Sequence, residues 1–294
     1  MTATRENKKT SFEQIMSERA LYIDHLLRDY FASLSFAEGA GSAQLKKSME
    51  YSLFGQGKRF RPTLCLMMAE ALGHDVDTIL PFACAVEMIH TYSLIHDDLP
   101  CMDNDDYRRG EPTNHKVFGD STALLSGDAL LTEAFSVLAR PHSLPATQAL
   151  ALIQVLSQAA GALGMIGGQA LDMNAKKTAQ DVDQLTTMQA MKTGALIRVC
   201  CEGVTMAFQR SEKEIELARR FGEDLGLAFQ LADDLLDSKD EKIEAGSFPA
   251  LIGLEATKEF LKKVSARAQT SLFSLGIKVG SLHDLVNYNL NRTI

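Results

Sequence analysis

The sequence predicts an all-α protein built as a single domain. Apolar residues recur at helical spacing along most of the 294 residues, and no alternating strand pattern of useful length occurs. No Gly/Ser-rich or proline-rich linker divides the chain, and its seven prolines mark helix boundaries or turns. Residues 1–10 are expected to form a flexible tail, and residues 11–294 the domain.

Helical periodicity locates the elements in order along the chain. The first is amphipathic, with Ile15, Leu21 and Leu27 set among charged residues. Helices are predicted over residues 12–33, 43–54, 62–72, 78–98, 121–139, 146–174, 182–210 and 212–238. The remaining residues, 248–293, are expected to give two or three shorter helices.

Charge and cysteine content exclude some classes of partner and site. The net charge of −8 does not favour nucleic acid, although local basic residues still allow a phosphorylated ligand. The five cysteines are odd in number and none forms a C-x-x-C pair, so neither a disulfide framework nor a zinc site is indicated. The first residues are polar and lack the apolar run of a signal peptide. We therefore expect a cytoplasmic protein.

One stretch has the length of a membrane span. Residues 143–171 contain no charged side chain and are long enough to cross a bilayer. However, Gln154, Gln158 and four glycines interrupt its apolar character, and Asp172 follows directly. A buried core helix is expected here, and no membrane span.

Two aspartate-rich segments each follow an apolar helical run. In the second, Asp233 and Asp237 are four residues apart and lie on one helix face, with Asp234 between them in sequence. Carboxylates so placed repel each other unless a cation lies between them. Hard oxygen ligands suit Mg²⁺, which also coordinates substrate phosphates.

The first acidic segment has a different geometry. Asp97 and Asp98 are followed by Pro100, which prevents a straight helix as far as Asp103. The helix is expected to end near Asp98, and the chain to fold Asp103 back toward Asp97. For either segment the alternative is a solvated acidic helix end without a metal. The presence of two such segments, each after an apolar helix, favours metal binding over that alternative.

Basic residues near these carboxylates are candidates for binding a diphosphate. They are Lys58 and Arg61 in a glycine-containing turn, Arg108 and Arg109 after the first acidic segment, and Lys192 with Thr193 inside an apolar helix. His90 lies two helical turns before Asp97, and Gln169 shares a helix face with Asp172. The alternatives are that the turn with Lys58 and Arg61 is an ordinary surface loop, that Lys192 extends its charged end to solvent along an apolar helix, and that His90 is structural.

Six motifs together resemble the short-chain trans-polyprenyl diphosphate synthases, which include farnesyl and geranylgeranyl diphosphate synthases. In chain order they read GKRFRP, EMIHTYSLIHDDLPCMDNDDYRRG, PTNHKVFGD, GGQALDM, MKTGALI and FQLADDLLD, and the similarity covers about residues 47–254. The resemblance implies a helical bundle of the isoprenoid synthase type around a deep central cavity, usually in a homodimer. It also implies three Mg²⁺ ions that bridge both acidic segments to an allylic diphosphate.

The resemblance assigns a role to each candidate residue. The implied Mg²⁺ ligands are Asp97, Asp98, Asp103, Asp233, Asp234 and Asp237. The implied allylic diphosphate site consists of Arg108, Lys192 and Gln230, with Gln169, Asp172 and Thr193 nearby. The implied isopentenyl diphosphate site consists of Lys58, Arg61, His90 and Arg109, with Arg292 as a looser match. The candidate catalytic residues among them are Asp97, Asp98, Asp103, Arg108, Lys192 and Asp233.

The implied reaction is a Mg²⁺-dependent head-to-tail condensation of isopentenyl diphosphate with dimethylallyl and geranyl diphosphate, giving farnesyl diphosphate. Tyr92, next to Ser93, lies five residues before Asp97, about 7.5 Å along a helix. In the family a bulky residue there floors the cavity, so Tyr92 and Ser93 are the candidate chain-length residues. Tyr92 favours a fifteen-carbon product, whereas the string LPCMDNDDYRRG leaves a twenty-carbon product open. Simple core packing is the alternative role for Tyr92.

The segment after Asp237 departs from the family pattern. It is shorter than the usual loop, and Glu244-Ala245 stands where a Gly-Lys pair would align, with Lys239 and Lys242 as candidate substitutes. This departure raises a second hypothesis, a non-catalytic partner subunit of a prenyl synthase, which the intact acidic segments oppose. A class I terpene cyclase is a third hypothesis. The basic turn at Lys58 opposes it, because a cyclase has no second diphosphate to bind.

Overall fold

The computed structural model describes residues 12–140, 143–175, 181–238, 243 and 246–292, which are almost entirely helical. The first seven helices are α1 (Phe12–Ala32), α2 (Ala40–Leu53), α3 (Phe60–Ala71), α4 (Leu80–Asp97), α5 (Asn114–Phe118), α6 (Asp120–Ala139) and α7 (Ala146–Ala160). The other seven are α8 (Met165–Ala175), α9 (Val182–Gln189), α10 (Ala195–Ala207), α11 (Glu212–Asp237), α12 (Phe248–Ile252), α13 (Leu254–Ser274) and α14 (Ser281–Asn291). Two short strands, β1 (Tyr107–Arg108) and β2 (Glu111–Pro112), form an antiparallel hairpin.

Helix α4 forms much of the core and carries the first acidic segment at its end. Pro81 lies in its first turn, where a missing N–H costs no hydrogen bond. Most of the residues between Phe82 and Ile95 are buried, and the helix packs against α3 and α6. The helix ends at Asp97, three residues before Pro100, so its acidic terminus emerges directly from the core.

Helix α11 positions the second acidic segment. It starts with a capping box, in which the Ser211 side chain accepts from the Glu214 N–H and the Glu214 side chain accepts from the Ser211 N–H. The helix packs between α10 and α13 and runs without interruption to Asp237. Asp233 and Asp234 therefore lie in its last two turns.

The predicted all-α fold is confirmed, but two of the predicted helices are wrong as single elements. Residues 146–174 divide into α7 and α8 at a turn around Gly161, whose N–H donates to the carbonyl of Ser157. Residues 182–210 divide into α9 and α10, which are joined by a π-helical turn at Ala190–Gly194. The hairpin and α5 were not anticipated. The predicted tail at residues 1–10 and the residues Lys239, Lys242, Glu244 and Ala245 lie outside the described residues, and the domain limits 11–294 stay a prediction.

Three helical stretches within the described residues are long and apolar enough to cross a membrane, judged by length and composition alone. They are Val76–Asp97, Asp120–Ala139 and Ala146–Asn174. In the first, 67% of the most apolar window is buried inside the protein, as expected for a core helix. The absence of a membrane span stays a prediction.

Candidate active site

The first acidic segment folds back on itself at the end of α4. The N–H of Asp103 donates to the carbonyl of Asp97 over 2.9 Å, and the N–H of Asn104 donates to the carbonyl of Leu99 over 3.1 Å. Asn104 takes a left-handed conformation with φ of 54°, which reverses the chain. The predicted return of Asp103 toward Asp97 is confirmed.

The neighbours Asp97 and Asp98 point to different sides of α4. Asp97 lines the largest cavity described below, and burial raises its pKa to about 6, with Lys192 opposing this shift. Asp98 instead accepts from Arg108, with Oδ1 2.7 Å from Nη2 and 2.8 Å from Nε. This pair lines a separate cavity of about 400 Å³ together with Arg109. Asp98 therefore fixes Arg108 in place rather than facing Asp97.

The second acidic segment shows a similar division of roles. Asp233 Oδ1 lies 2.7 Å from Nη2 of Arg292, near the C-terminal end of the chain. Asp234 is buried, and its two oxygens accept from Gln230 Nε2 at 2.7 Å and from the Phe248 N–H at 2.9 Å. Asp237 is exposed. Asp234 thus ties α11 to the start of α12, and Gln230 supports it from the same helix. The predicted ligand roles of both residues stay predictions.

The largest of the cavities has a volume of about 560 Å³ and brings eight predicted site residues together. These residues are Arg61, His90, Tyr92, Ser93, Asp97, Gln169, Lys192 and Thr193. Apolar side chains complete its walls, among them Leu124, Leu131 and Met165. Such a cavity, polar at one end and apolar along its walls, suits an amphiphilic ligand with a charged head and a hydrocarbon chain.

Three polar side chains of this cavity have buried atoms without hydrogen-bond partners among the residues that the structure describes, namely Gln169, Tyr92 and Arg61, the last at its Nε. Both amide atoms of Gln169 are buried without a hydrogen bond, and so is the hydroxyl of Tyr92. Burial raises the pKa of Tyr92 to about 12, so its hydroxyl stays neutral. Unpaired buried donors and acceptors are costly, and at Gln169 they indicate a polar ligand.

Tyr92 packs in the cavity wall against an aromatic neighbour that was not singled out as a site residue. His96 packs edge-to-face on Tyr92, with ring centroids 5.6 Å apart, and its Nε2 lies 3.0 Å from the carbonyl of Leu124. The imidazole lies on Gly127 of α6, where a Cβ atom would come within 2.1 Å of Nε2. Helices α4 and α6 approach closely here because Gly127 has no side chain. The spacing of Tyr92 and His96, four residues apart on one helix, is a local signal, but the approach of His96 to Gly127 on another helix is not.

A π-helical turn carries Lys192 into the site. Such turns are rare and occur frequently at functional sites. Lys192 Nζ lies 2.6 Å from Asp172 Oδ2, so the two predicted neighbours are in contact. Lys192 is also close enough to Asp97 to lower the pKa of that carboxyl.

The basic groups predicted for a second diphosphate lie on two sides of the turn between α2 and α3. Arg61 and His90 face the largest cavity, whereas Lys58 lines a separate cavity of about 400 Å³ with Phe229 and Arg292. Burial, together with Arg61 and Arg109, holds the pKa of His90 well below its ordinary value, so the imidazole is neutral. Arg109 donates to the carbonyl of Gln56 within that turn.

The donor set is compatible with Mg²⁺ held jointly by protein and substrate. Among residues 12–140, 143–175, 181–238, 243 and 246–292, no three His, Cys, Asp or Glu side chains are grouped closely enough to enclose a metal. Mg²⁺ is usually bound by one or two carboxylates together with substrate phosphates and water. Asp97 and Asp233, near Lys192 and Lys58 respectively, fit that mode of binding.

Comparison with known proteins decides the family. The model of the polyprenyl synthetase family matches residues 42–247. The chain belongs to the polyprenyl synthetase family. It is 40% identical over 293 residues to the farnesyl diphosphate synthase of Bacillus subtilis, covering 95% of this chain and 96% of that protein. It is also 39% identical to geranylgeranyl pyrophosphate synthase 7, chloroplastic, of Arabidopsis thaliana, over 85% of this chain and 76% of that protein.

Among solved structures, this polyprenyl synthetase resembles an FPP/GFPP synthase from Zymomonas mobilis in its apo form. The TM-score is 0.86 at 37% identity, and the match covers 95% of this chain and 98% of the other. The predictions of the family, the all-α fold and a prenyltransferase activity are confirmed. The individual roles of the site residues stay predictions.

Proposed function

We propose that this polyprenyl synthetase is a farnesyl diphosphate synthase. It condenses isopentenyl diphosphate head to tail with dimethylallyl diphosphate, and again with the resulting geranyl diphosphate. The observation that carries the choice of product is Tyr92, which is 4% exposed and lines the cavity five residues before Asp97. The Bacillus subtilis relative, which matches over nearly the whole of both chains, supports the same function.

In the proposed site, charged side chains lie at one end of the cavity and apolar side chains line the rest. Asp97, Asp103 and Asp233 would hold Mg²⁺, and the family resemblance implies three such ions. When bound, Mg²⁺ supplies positive charge to the departing diphosphate. Lys192 adds a fixed cationic donor at that end of the cavity, where the pair Lys192–Asp172 is already formed over 2.6 Å. Arg108 lines the neighbouring cavity with Asp98, and from there its charge lowers the pKa of Asp97. Because these donors are positioned before the substrate arrives, they stabilise developing charge with little reorganisation.

The apolar part of the cavity protects the cation that remains. Once the diphosphate leaves, the allylic fragment lies against Leu131 and Met165, and by filling this apolar part of the cavity it displaces water from it. The double bond of isopentenyl diphosphate, held by Arg61 and His90, attacks the cation, and the released diphosphate takes the proton that is lost. A neutral His90 donates a hydrogen bond without acting as a base.

A geranylgeranyl diphosphate synthase is the second candidate. The relative from Arabidopsis thaliana favours it, but the FPP/GFPP synthase structure and the Bacillus subtilis relative match more of the chain. A non-catalytic partner subunit is less consistent with the site, because Asp97 faces a cavity that contains Lys192 and Gln169.

A cytoplasmic homodimer is part of the proposal. Leu125 on α6 is 56% exposed, and Leu150 on the neighbouring helix α7 is 66% exposed. Large apolar side chains on adjacent helices are typical of a surface that a second copy covers. Light scattering after size exclusion tests the oligomeric state.

Product analysis tests the proposed function directly. The purified protein is incubated with Mg²⁺, dimethylallyl diphosphate and isopentenyl diphosphate, and the dephosphorylated products are separated by chromatography. Farnesol as the main product supports the proposal, and geranylgeraniol supports the second candidate. No prenyl product with Mg²⁺ present, compared with a chelator control, would rule out both.

A further inference from the structure

A buried arginine anchors the basic turn between α2 and α3. Arg59 is 4% exposed, and its guanidinium makes four contacts, all with protein groups. Nε donates to Asp24 Oδ1 at 2.6 Å, and Nη1 donates to Glu87 Oε1 at 3.1 Å. Nη2 donates to the carbonyls of Leu53 at 2.7 Å and Gly55 at 3.2 Å. One side chain therefore joins α1, the end of α2, the turn itself and α4.

The backbone of the turn is shaped around this guanidinium. Arg59 has φ of 46°, a left-handed conformation that a non-glycine residue adopts only when its surroundings stabilise it. A Cβ atom on Gly57 would come within 2.8 Å of Arg59 Nη1 and 2.7 Å of Arg109 Nη1. The turn thus passes close to two guanidinium groups because residue 57 is a glycine.

The position of Arg59 links it to the residues proposed to bind isopentenyl diphosphate. Lys58 precedes it, Arg61 follows two residues later, and Glu87 lies one helical turn before His90. Four of its five N–H donors are used within the protein and the residue is only 4% exposed, so Arg59 is not placed to touch a substrate. Its partner Glu87 also balances part of the positive charge that Arg61 and Arg109 bring to this region.

We infer that Arg59 is a positioning residue for the isopentenyl diphosphate site, and that Asp24 on the first helix contributes to that site through it. The inference rests on the proposed function. The Arg59 guanidinium fixes the turn so that Lys58 and Arg61 keep their separation and direction. Asp24 and Glu87 clamp the guanidinium from two sides, which fixes the turn relative to both α1 and α4.

Steady-state kinetics on three single variants, with a control and a double variant, tests this inference. Arg59→Met removes the guanidinium, and Arg59→Lys keeps the charge but cannot reach four acceptors at once. We expect both to raise the KM for isopentenyl diphosphate by about tenfold or more. Asp24→Asn removes one charged partner, and we expect a rise of about threefold. The KM for dimethylallyl diphosphate is expected to stay unchanged in all three.

Asp29→Asn is the matched control. Asp29 lies on the same helix as Asp24 but is 66% exposed and pairs only with His25 among the contacts described. Its KM values are expected to equal those of the unchanged protein. In addition, the double variant Asp24→Asn/Arg59→Met should bind isopentenyl diphosphate no more weakly than Arg59→Met alone, because both changes act through one contact.

Several results would overturn the inference. One is an Arg59→Lys variant with unchanged KM, since charge alone would then suffice. Another is a parallel rise of both KM values that tracks a lower Tm, which would show a general structural role. If Arg59→Met does not fold, Asp24→Asn decides, and an unchanged KM there counts against the inference. Absence of prenyl products from the unchanged protein would instead contradict the proposed function.

Discussion

The N–H of Asp103 donates to the carbonyl of Asp97 over 2.9 Å, closing the first acidic segment into a loop at the end of α4. The chain thereby returns so that the Asp103 carboxylate is close enough to raise the pKa of Asp97, although a straight helix would separate residues that are six apart. Asp98, next in the chain, points away and binds Arg108. Adjacent aspartates therefore have different tasks, and substitution can separate them.

Asp97→Asn is expected to lower kcat/KM about 10³-fold, because the cavity loses the carboxylate proposed to hold Mg²⁺. Product formation from the two diphosphates measures activity, and calorimetric titration of Mg²⁺ in the presence of inorganic diphosphate measures metal binding. Asp128→Asn is the control, since Asp128 lines the same cavity but has no proposed role. An Asp97 variant with full Mg²⁺ affinity would contradict the assignment.

Asp234→Asn is expected to lower stability, whereas Asp237→Asn is expected to lower activity at unchanged stability. Asp234 is buried and accepts from Gln230 and the Phe248 N–H, so its variant should lose about 2 kcal/mol of unfolding free energy. Asp237 is exposed, and its variant should unfold like the unchanged protein while losing activity. Urea unfolding followed by circular dichroism separates the two. Equal stability of both variants would argue against a structural role for Asp234.

Tyr92→Ala is expected to lengthen the product to twenty carbons or more, because removal of a ring that lines the cavity enlarges it. Chromatography of the dephosphorylated products measures the shift. Thr91→Val is the control: Thr91 is the preceding residue on α4 but lines the separate cavity beside Asp98 and Arg108. An unchanged product distribution in Tyr92→Ala would show that the tyrosine only packs the core.

Gly127→Ala is expected to lower the unfolding free energy by about 2 kcal/mol, because the new methyl group overlaps the imidazole of His96. Displacement of His96 should also disturb Tyr92 and broaden the product distribution. Gly41→Ala is the matched control, since a Cβ atom there meets nothing within 4 Å. If Gly127→Ala is as stable as Gly41→Ala, helix α6 can move away from α4 more easily than the packing indicates.

The sequence predicted most of the helices because periodic apolar residues and terminal prolines are local signals. It did not predict the break between α7 and α8, because the polar residues and glycines of this stretch were assigned to one continuous helix. It also missed the π-helical turn, because an extra residue in a turn changes hydrogen bonding without changing composition.

Within the site, residue identities were predictable and side-chain directions were not. The cavity brings Arg61, His90, Asp97 and Lys192 together as expected. In contrast, Asp234 is directed by the N–H of Phe248, a partner fourteen residues away across a loop. Such contacts depend on how the chain returns to the helix, which residue spacing does not reveal.

The π-helical turn at Ala190–Gly194 makes the site sensitive to insertions and deletions. A π-helical turn contains one residue more than the α-helix would use over the same path. Deleting one residue there would let α9 and α10 merge into a regular helix, at the cost of a rotation of about 100° between them. Lys192 would then leave the side of Asp172, although every other side chain had been kept. Chain length in this turn is therefore as restrictive for the site as residue identity.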